Sequence, residues 1–289
     1  MPAAGRPLIV TGASGLIGAR LCAEWERRGG SVLRVSRTRR EAGWIGWQDL
    51  PAAVAESAAV VNLAGEPVAG RRWSARVKEE IRASRVRAAE AIAAARPSAW
   101  IQASAVGWYG DRGEETLTEA SVPGEGFLAE VCQAWEEPCL RHERAGGRGT
   151  RLRFGIVLAR EGGALAKMLP AFRCGVGGRL GDGRAWMSWI HAADAVGLIL
   201  AALDDERWRG AVNVTAPEPV RNADFTRTLA RRLHRPALLA VPRFGLRALF
   251  GEGGDLLLAS QRARPEVALR LGYEFRWPRL DAALADLLG

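Results

Sequence analysis

Three glycines near the amino terminus have a spacing that suits phosphate binding. In TGASGLIG, Gly12, Gly15 and Gly18 follow an apolar run at three-residue intervals and precede a helical pattern. Such a turn lets backbone N–H groups approach a pyrophosphate at the positive end of a helix. A structural strand-to-helix turn is the alternative. The sequence predicts a dinucleotide site made by this motif, with the residues Thr11, Gly12, Ser14, Gly15, Leu16, Ile17 and Gly18.

The segment RVSRTRR indicates which dinucleotide would bind. An acidic residue at the end of the second strand binds the adenosine ribose hydroxyls, whereas an arginine accommodates a 2′-phosphate. Here Ser36 stands where the acid is expected and Arg37 follows it, while Arg39 and Arg40 add positive charge. The segment therefore favours NADP over NAD, unless these are only surface charges in an arginine-rich chain.

The elements that must position these residues alternate along the chain. Helical patterns run from Leu16 to Arg28, from Ser74 to Arg96 and from Gly126 to Glu143. Between them lie apolar runs typical of strands covered on both faces: PLIVT, SVLRVS, AVVNLA, AWIQAS and TRLRFGIVL. This order predicts an α/β fold with a Rossmann-like doubly wound parallel sheet.

The chain length and the later segments predict a second, smaller unit. We assign residues 6–157 and 186–216 to the NADP-binding Rossmann domain, and 158–185 and 217–289 to a substrate lid. The lid segments are too small to form a core alone, so they should pack on the main domain. The crevice between the two is then the natural site for a small-molecule substrate.

Composition excludes several other classes of protein. Apolar residues make up 48% of the 289 and charged residues 25%, as in ordinary globular proteins. No run is long enough for a transmembrane helix and no signal peptide is apparent, so we expect a cytoplasmic protein without a membrane partner. The four cysteines match no zinc pattern, and we expect free thiols and no metal.

The net charge of +9 does not indicate nucleic acid. The basic residues are 39 arginines and two lysines, scattered over every segment, and no nucleic-acid-binding motif accompanies them. We expect no nucleic-acid partner, and either a monomer or a homodimer.

Several motifs together resemble a known superfamily. TGASGLIG, NLAG, QASAVGWYGD and WIHAADAV are similar to the extended short-chain dehydrogenases/reductases. The longer segments NLAGEPVAGRRW, SAVGWYGDRGEE and GGALAKMLPAFRCGVGGRLGDGRAWMSWIH resemble its atypical "epimerase family protein" branch, which is NAD-dependent epimerase/dehydratase-like with a C-terminal extension. The resemblance implies a Rossmann domain that holds NADP.

The resemblance also assigns cofactor contacts residue by residue. It implies that Ser36 and Arg37 hold the 2′-phosphate and that Val157 lies along the nicotinamide half. The remaining implied contacts are Leu63, Ala64 and Gly65 under the adenine and its ribose, with Glu80 and Arg85 on the following helix. Each could instead be an ordinary core or surface residue.

One feature of the superfamily is missing. Its reaction uses a tyrosine whose pKa is lowered by a lysine four residues later. Tyr109 is followed at that distance by Gly113 and Tyr273 by Trp277, while the two lysines, Lys78 and Lys167, lie elsewhere. By segment order Phe127 replaces the tyrosine and Val131 the lysine, and neither can transfer a proton.

Three residues remain as catalytic candidates. Ser104 stands where the superfamily places its substrate-polarising hydroxyl. Tyr109 is either the proton donor or a lining residue, and Glu130 is either an acid whose pKa burial raises or a surface carboxylate. Trp73, Trp108, Trp186 and Trp189 should surround the crevice. His191 is either a structural hydrogen-bonding group or an acid.

These observations predict an NADP(H)-dependent oxidoreductase of atypical type that acts on a small molecule. The alternative is a non-catalytic NADPH sensor or partner-binding protein. A sugar-nucleotide epimerase comes third, because epimerisation through a keto intermediate also needs a proton-transfer group.

Overall fold

The computed structural model describes residues 5–39, 41–68 and 70–289. Arg40, which the sequence places beside the 2′-phosphate, lies outside the described residues. The strands of the described residues are, in chain order, β1 (Leu8–Thr11), β2 (Val32–Val35), β3 (Trp44–Ile45), β4 (Ala59–Asn62), β5 (Ala99–Ala105), β6 (Thr116–Leu117), β7 (Arg148–Phe154), β8 (Ile156–Leu158), β9 (Gly178–Leu180), β10 (Trp186–Met187), β11 (Trp189–His191), β12 (Gly210–Val214), β13 (Val220–Arg221), β14 (Leu239–Val241) and β15 (Arg262–Ala263).

The helices follow the strands in alternation over most of the chain. Short 3-10 turns cover Trp47–Asp49 and Val106–Tyr109. The α-helices of the described residues are α1 (Leu16–Arg27), α2 (Leu50–Glu56), α3 (Ala75–Ala95), α4 (Phe127–Arg144), α5 (Gly163–Arg173), α6 (Ala192–Asp204), α7 (Asn222–Arg232), α8 (Arg243–Phe250), α9 (Gly253–Leu256), α10 (Glu266–Arg270) and α11 (Leu280–Leu288).

A seven-stranded parallel sheet forms the centre of the protein. Its spatial order is β12-β7-β5-β4-β1-β2-β3, and every neighbouring pair is parallel. Strands β1 and β4 are buried along their whole length because both faces are covered. Helices α1 and α6 pack together, and α3 packs against α2 and α4. The predicted α/β fold with a doubly wound parallel sheet is confirmed.

The run TRLRFGIVL was predicted as one strand and is two. Strand β7 ends at Phe154, and β8 pairs instead with β11 outside the main sheet. The break lies at Gly155, where an added Cβ would stand 2.5 Å from the carbonyl oxygen of Ser188. The backbone of Ser188 is therefore packed directly on Gly155, and its carbonyl accepts the N–H of Ile156. This contact directs the chain out of the sheet.

A second hydrophobic core lies outside the main sheet. Residues of α5, β10, β11, α7 and α11 bury their apolar side chains together, among them Leu165, Trp189, Phe225 and Leu284. These residues come from both segments that the sequence assigns to the smaller unit and from the strands between them. The exact domain boundaries stay a prediction.

The carboxyl-terminal segment runs back over the main domain. Strand β15 pairs in parallel with β6, and the Ser188 hydroxyl donates to the carbonyl of Gln261 at 2.7 Å. The Asp194 carboxylate accepts backbone N–H groups from Arg276 and Trp277. These contacts tie residues 260–288 to both halves of the chain.

Candidate functional site

The glycine-rich turn joins β1 to α1 at the carboxyl edge of the sheet. Gly12 has φ +67°, and a Cβ there would stand 2.5 Å from the carbonyl oxygen of Leu63. A Cβ at Gly18 would stand 2.3 Å from the Gly12 carbonyl, so the helix approaches the turn too closely for a side chain. At Gly15 an added Cβ would have one neighbour among the described residues, the Gly12 carbonyl oxygen at 3.2 Å. Gly15 therefore leaves open space on the side where a phosphate would approach.

A buried polar chain links this turn to the segment after β4. The Thr11 hydroxyl donates to Asn62 Oδ1 at 2.6 Å, and the Asn62 amide donates to Gln102 Oε1 at 2.9 Å. Asn62 Oδ1 also accepts the N–H of Ala64. The network links the ends of β1 and β4 to the middle of β5 and holds the segment that leaves β4.

A cavity of about 680 Å³ opens beside the turn. It is bounded by the turn, the end of β2, the segment after β4 and one face of α3. Eight of the predicted cofactor residues line it: Gly12, Ser14, Gly15, Ser36, Arg37, Leu63, Ala64 and Gly65. Sequence reasoning did not single out Trp47, Glu66, Ser84 or Arg87, which also line it. Arg87 lies on α3, which has several arginines, and composition alone does not indicate which of them faces the cavity.

The end of β2 carries cationic groups into this cavity. Ser36 Oγ accepts the backbone N–H groups of Thr38 and Arg39, which shapes the turn after the strand. The Arg37 guanidinium lies 3.3 Å from a carboxylate oxygen of Glu66, and the side chain is 79% exposed. Arg39 lies over the ring of Trp44 at 4.9 Å. Arg37 is accessible to an anion that enters the cavity.

Two predicted cofactor residues on α3 have internal partners. Glu80 accepts hydrogen bonds from Arg76 and Arg71, which lower the pKa of its carboxyl, and it does not line the described cavity. Arg85 is buried beneath Gly65 and donates to the carbonyls of Glu66 and Ile81, both at 3.0 Å. Burial lowers the pKa of Arg85. In these positions Arg85 supports the cavity wall.

The other predicted contacts lie around the turn. Leu16 and Ile17 begin α1, and the Leu16 side chain would meet a Cβ at Gly162 or Gly163 at 3.2 Å. Val157 is half-buried in β8, where it pairs with Ile190 and packs on the main core. Their roles toward a cofactor stay predictions.

Ser104 lies near the carboxyl end of β5, as the sequence predicts for a polarising hydroxyl. The residue is 2% exposed, and its Oγ has no nitrogen or oxygen hydrogen-bond partner among the described residues. A buried hydroxyl without such a partner is costly in a protein interior. Burial raises the pKa of the Cys132 thiol, and a weak hydrogen bond with Ser104 acts against that rise, so the hydroxyl has a weak sulfur partner and keeps capacity for a further polar one.

Tyr109 is not available as the proton donor. The side chain is fully buried, and its hydroxyl donates to Asn213 Oδ1 at 2.7 Å and accepts from Arg153 Nη1 at 3.1 Å. Burial raises the pKa of Tyr109 to about 12. Arg153 is itself buried and paired with Glu136 at 2.8 Å. The tyrosine belongs to a buried structural network that the sequence does not reveal.

Glu130 is not buried, although a role as an acid with a raised pKa was expected to require burial. It lies in the first turn of α4 and is exposed to solvent. The surface-carboxylate alternative therefore fits the structure better.

The start of α4 is apolar where the sequence predicts the loss of the tyrosine and lysine. Phe127 and Val131 pack in one cluster with Trp73, Val77 and Ile81. The rings of Phe127 and Trp73 meet edge to face with centroids 5.2 Å apart. Neither position carries a group that can move a proton.

The four predicted crevice tryptophans are not brought together. Trp189 is fully buried in the second core, and Trp108 lies under the Arg153 guanidinium at 3.4 Å. Trp186 is flanked by Arg221 and Arg262. Trp73 packs on Phe127 at the start of α4.

His191 has a structural role. Its Nδ1 accepts the N–H of Ala193 at the start of α6, and its Nε2 lies 3.1 Å from an Asp286 carboxylate oxygen. The ring stacks on Trp277 at 3.8 Å, and burial lowers the pKa of the imidazole. The hydrogen bond that Nδ1 accepts requires the neutral ring with the proton on Nε2.

Among the described residues, no cluster of histidine, cysteine and acidic side chains is arranged to hold a metal ion. The helices in those same ranges include none with the length and apolar character that crossing a membrane requires.

Comparison with known proteins covers nearly the whole chain. The NAD dependent epimerase/dehydratase family model matches residues 8–215, and a domain of unknown function (DUF1731) matches residues 241–287. The epimerase family protein SDR39U1 homolog, chloroplastic, of Arabidopsis thaliana is 39% identical over 299 residues. That match covers 96% of this chain and 86% of the relative.

Two solved structures are similar in fold and in sequence. The crystal structure of human epimerase family protein SDR39U1 with NADPH has a TM-score of 0.91 and 32% identity, covering 98% of this chain and 99% of that chain. The nucleoside-diphosphate sugar epimerase from Corynebacterium glutamicum has a TM-score of 0.82 and 34% identity, covering 98% of this chain and 58% of that chain.

Proposed function

The chain belongs to the NAD dependent epimerase/dehydratase family, and from this we propose that it binds NADP(H) as an atypical short-chain dehydrogenase/reductase. Its activity is then the oxidation or reduction of a small molecule. The observation that carries the proposal is the 680 Å³ cavity, in which a glycine-rich turn faces the cationic end of β2. A related protein, human SDR39U1, has been crystallised with NADPH.

The residues present fit a phosphorylated dinucleotide. The open side of Gly15, together with the N-terminus of α1, suits a pyrophosphate. Ser36 offers no carboxylate to repel a 2′-phosphate, and Arg37 can form a charge-assisted hydrogen bond to one. Leu63 and Ala64 offer apolar surface to the adenosine.

When bound, the reduced dinucleotide would supply a hydride to the substrate. This chain's residues would bind and orient it, with the buried Ser104 hydroxyl as the polarising group for a carbonyl oxygen. Arg85 would hold the segment from Leu63 to Glu66 from below. The proton needs a further donor, because Tyr109 is enclosed and Glu130 is solvated.

Calorimetric titration of the wild type and Arg37→Ala with NADPH and NADH tests the proposal. We expect NADPH to bind at least tenfold more tightly than NADH, since a hydrogen bond to a charged group contributes about 1.5–3 kcal/mol. Arg37→Ala should lose most of that preference. Arg82→Ala, an exposed arginine on α3 that does not line the cavity, is the matched control. Equal affinities for both cofactors would refute the assignment.

A second candidate function is an NADPH sensor without catalysis. The observation that favours it is the apolar start of α4, where Phe127 and Val131 pack against Trp73. Loss of nicotinamide absorbance with a broad panel of quinones and planar carbonyl compounds separates the two functions. The enzyme should give slow turnover, which Ser104→Ala reduces. Tight NADPH binding without oxidation by any compound would favour the sensor.

A further inference from the structure

The two lysines of this chain are unusual because almost every other cation is arginine. Of 41 basic residues, Lys78 and Lys167 are the only lysines. An arginine guanidinium stays protonated in proteins, whereas a lysine ammonium can give up its proton. The two lysine positions are therefore where this chain places a cation that can take part in proton transfer.

Lys167 approaches the segment that joins β4 to α3, whereas Lys78 approaches the start of α4. Lys78 lies in the first turn of α3, and its Nζ is 5.0 Å from the ring centre of Phe127. Lys167 comes from α5, and the Cβ position of Gly70 lies 3.0 Å from its Nζ. Lys78 therefore lies at the apolar start of α4, where the rings of Phe127 and Trp73 meet edge to face.

The segment that joins β4 to α3 continues from the wall of the cofactor cavity. The chain leaves β4 at Asn62, lines the cavity from Leu63 to Glu66 and then reaches Gly70 and Trp73. Strand β5, which bears Ser104, pairs with β4, and α4 packs on β5. In a doubly wound sheet the ligand lies beyond the carboxyl ends of the strands. The first turns of α3 and α4 lie at these carboxyl ends, so the half of a dinucleotide beyond the adenosine cavity would extend toward Lys78 and Phe127.

We propose that Lys78 is the proton donor of this site. The inference rests on the proposed function. As the hydride adds to the carbonyl carbon of the substrate, the carbon–oxygen π bond breaks and the oxygen takes a proton from the Lys78 ammonium. The products are an alcohol, the oxidised dinucleotide and a neutral lysine amine, which solvent reprotonates. The substrate class is a small carbonyl compound.

The C-terminal extension approaches the donor. Lys78 Nζ lies 2.6 Å from a carboxylate oxygen of Glu252, which precedes α9. The Glu252 side chain is 71% exposed, so the pair is solvated and its ammonium can exchange partners readily. Gly253 packs on the Trp73 ring, and Arg72 donates to the Ala248 carbonyl at 3.2 Å. Through Glu252 the C-terminal extension thus contacts Lys78.

Having only two lysines makes a direct test by NMR possible. Reductive ¹³C-methylation keeps the positive charge and should give two lysine signals, apart from the amino terminus, with Lys78→Arg and Lys167→Arg assigning each. NADP⁺ should shift the Lys78 signal, whereas 2′,5′-ADP, which lacks the nicotinamide half, should leave it unchanged. Calorimetry on the same samples measures binding of both compounds.

The outcomes separate this inference from the cofactor assignment. If both compounds bind and NADP⁺ leaves the two lysine signals unchanged, the inference is overturned while the cofactor assignment stands. If neither compound binds, the cofactor assignment fails and the inference fails with it.

Turnover of quinone and planar carbonyl probes then tests the proton-donor role. Lys78→Arg keeps the charge without a transferable proton, and Lys78→Met loses both. We expect both variants to bind NADPH like the wild type and to lose about 10²-fold or more in kcat, the scale of general acid catalysis. Wild-type turnover by Lys78→Arg would overturn the role, as would a wild type that oxidises NADPH with none of the probes.

Discussion

At the residue scale, Arg37 already has an anionic neighbour in the cavity where a 2′-phosphate is proposed to bind. Glu66 lies 3.3 Å from its guanidinium, and both side chains line the cavity. A phosphate that recruits Arg37 must replace this ion pair. The pair therefore competes with the cofactor.

We predict that Glu66→Gln binds NADPH roughly two- to fivefold more tightly, because a solvated ion pair of this kind contributes about 0.5–1 kcal/mol. NADH affinity should stay unchanged, since it has no 2′-phosphate. Calorimetry measures both, and Glu90→Gln, whose carboxylate pairs with Arg141 elsewhere, is the control. Weaker NADPH binding by Glu66→Gln would mean that the carboxylate itself helps to hold the cofactor.

The Tyr109 hydroxyl serves stability. It joins Asn213 to the buried Arg153–Glu136 pair, so its removal leaves polar groups without a partner inside the protein. We predict that Tyr109→Phe lowers the free energy of unfolding by about 1–3 kcal/mol and leaves NADPH affinity unchanged. Urea denaturation and calorimetry provide the two readouts. A stable variant with impaired oxidation of NADPH by the quinone and carbonyl probes would return Tyr109 to the catalytic candidates.

At the scale of elements, the glycines of the first turn differ in what a side chain would meet. A Cβ at Gly18 would stand 2.3 Å from backbone oxygen, whereas one at Gly15 would have no contact closer than 3.2 Å. We predict that Gly15→Val folds and loses NADPH binding, and that Gly18→Val is strongly destabilised. Thermal unfolding with cofactor titration distinguishes them. A Gly15→Val protein that binds NADPH normally would show that the phosphate lies elsewhere.

The long periodic elements were the predictable part of the fold. Helices α1, α3 and α4 begin and end within a residue or two of the sequence-based bounds. The two-residue strand β3 and the short helix α2 carry too little pattern to detect. The break at Gly155 depends on the Ser188 carbonyl, which arrives from 33 residues later in the chain. The spacing of Gly12, Gly15 and Gly18 was enough to predict the turn. The enclosure of Tyr109 and the approach of Lys78 to Phe127 depend on tertiary contacts that no local pattern indicates.

At the scale of the whole molecule, His191 connects β11 and α6 to the C-terminal helix α11 through Asp286. Burial lowers the pKa of this histidine in the folded protein, while in the unfolded chain it is near 6.5. As the pH falls below that value, His191 binds a proton in the unfolded chain, whereas in the folded protein the imidazole stays neutral to a lower pH. The neutral His191 therefore contributes to the free energy of unfolding at neutral pH, and this contribution is lost in acid.

We predict that the wild type loses more free energy of unfolding between pH 7.5 and pH 5.5 than His191→Gln does. Urea denaturation at the two pH values measures the difference. His142, whose pKa burial also lowers, stays in both proteins and accounts for part of the remaining slope. An identical loss in the two proteins would show that His191 does not contribute.

The course of the C-terminal segment has a consequence for synthesis on the ribosome. Strand β12 completes the edge of the main sheet only after residue 210, and α11 completes the second core with residues 280–288. Pairings of such high sequence separation form slowly, because a long loop must close first. Until residues 280–288 leave the exit tunnel, the apolar face of α7 lacks the cover that α11 provides. The nascent chain should therefore depend on chaperone protection until its last helix has emerged.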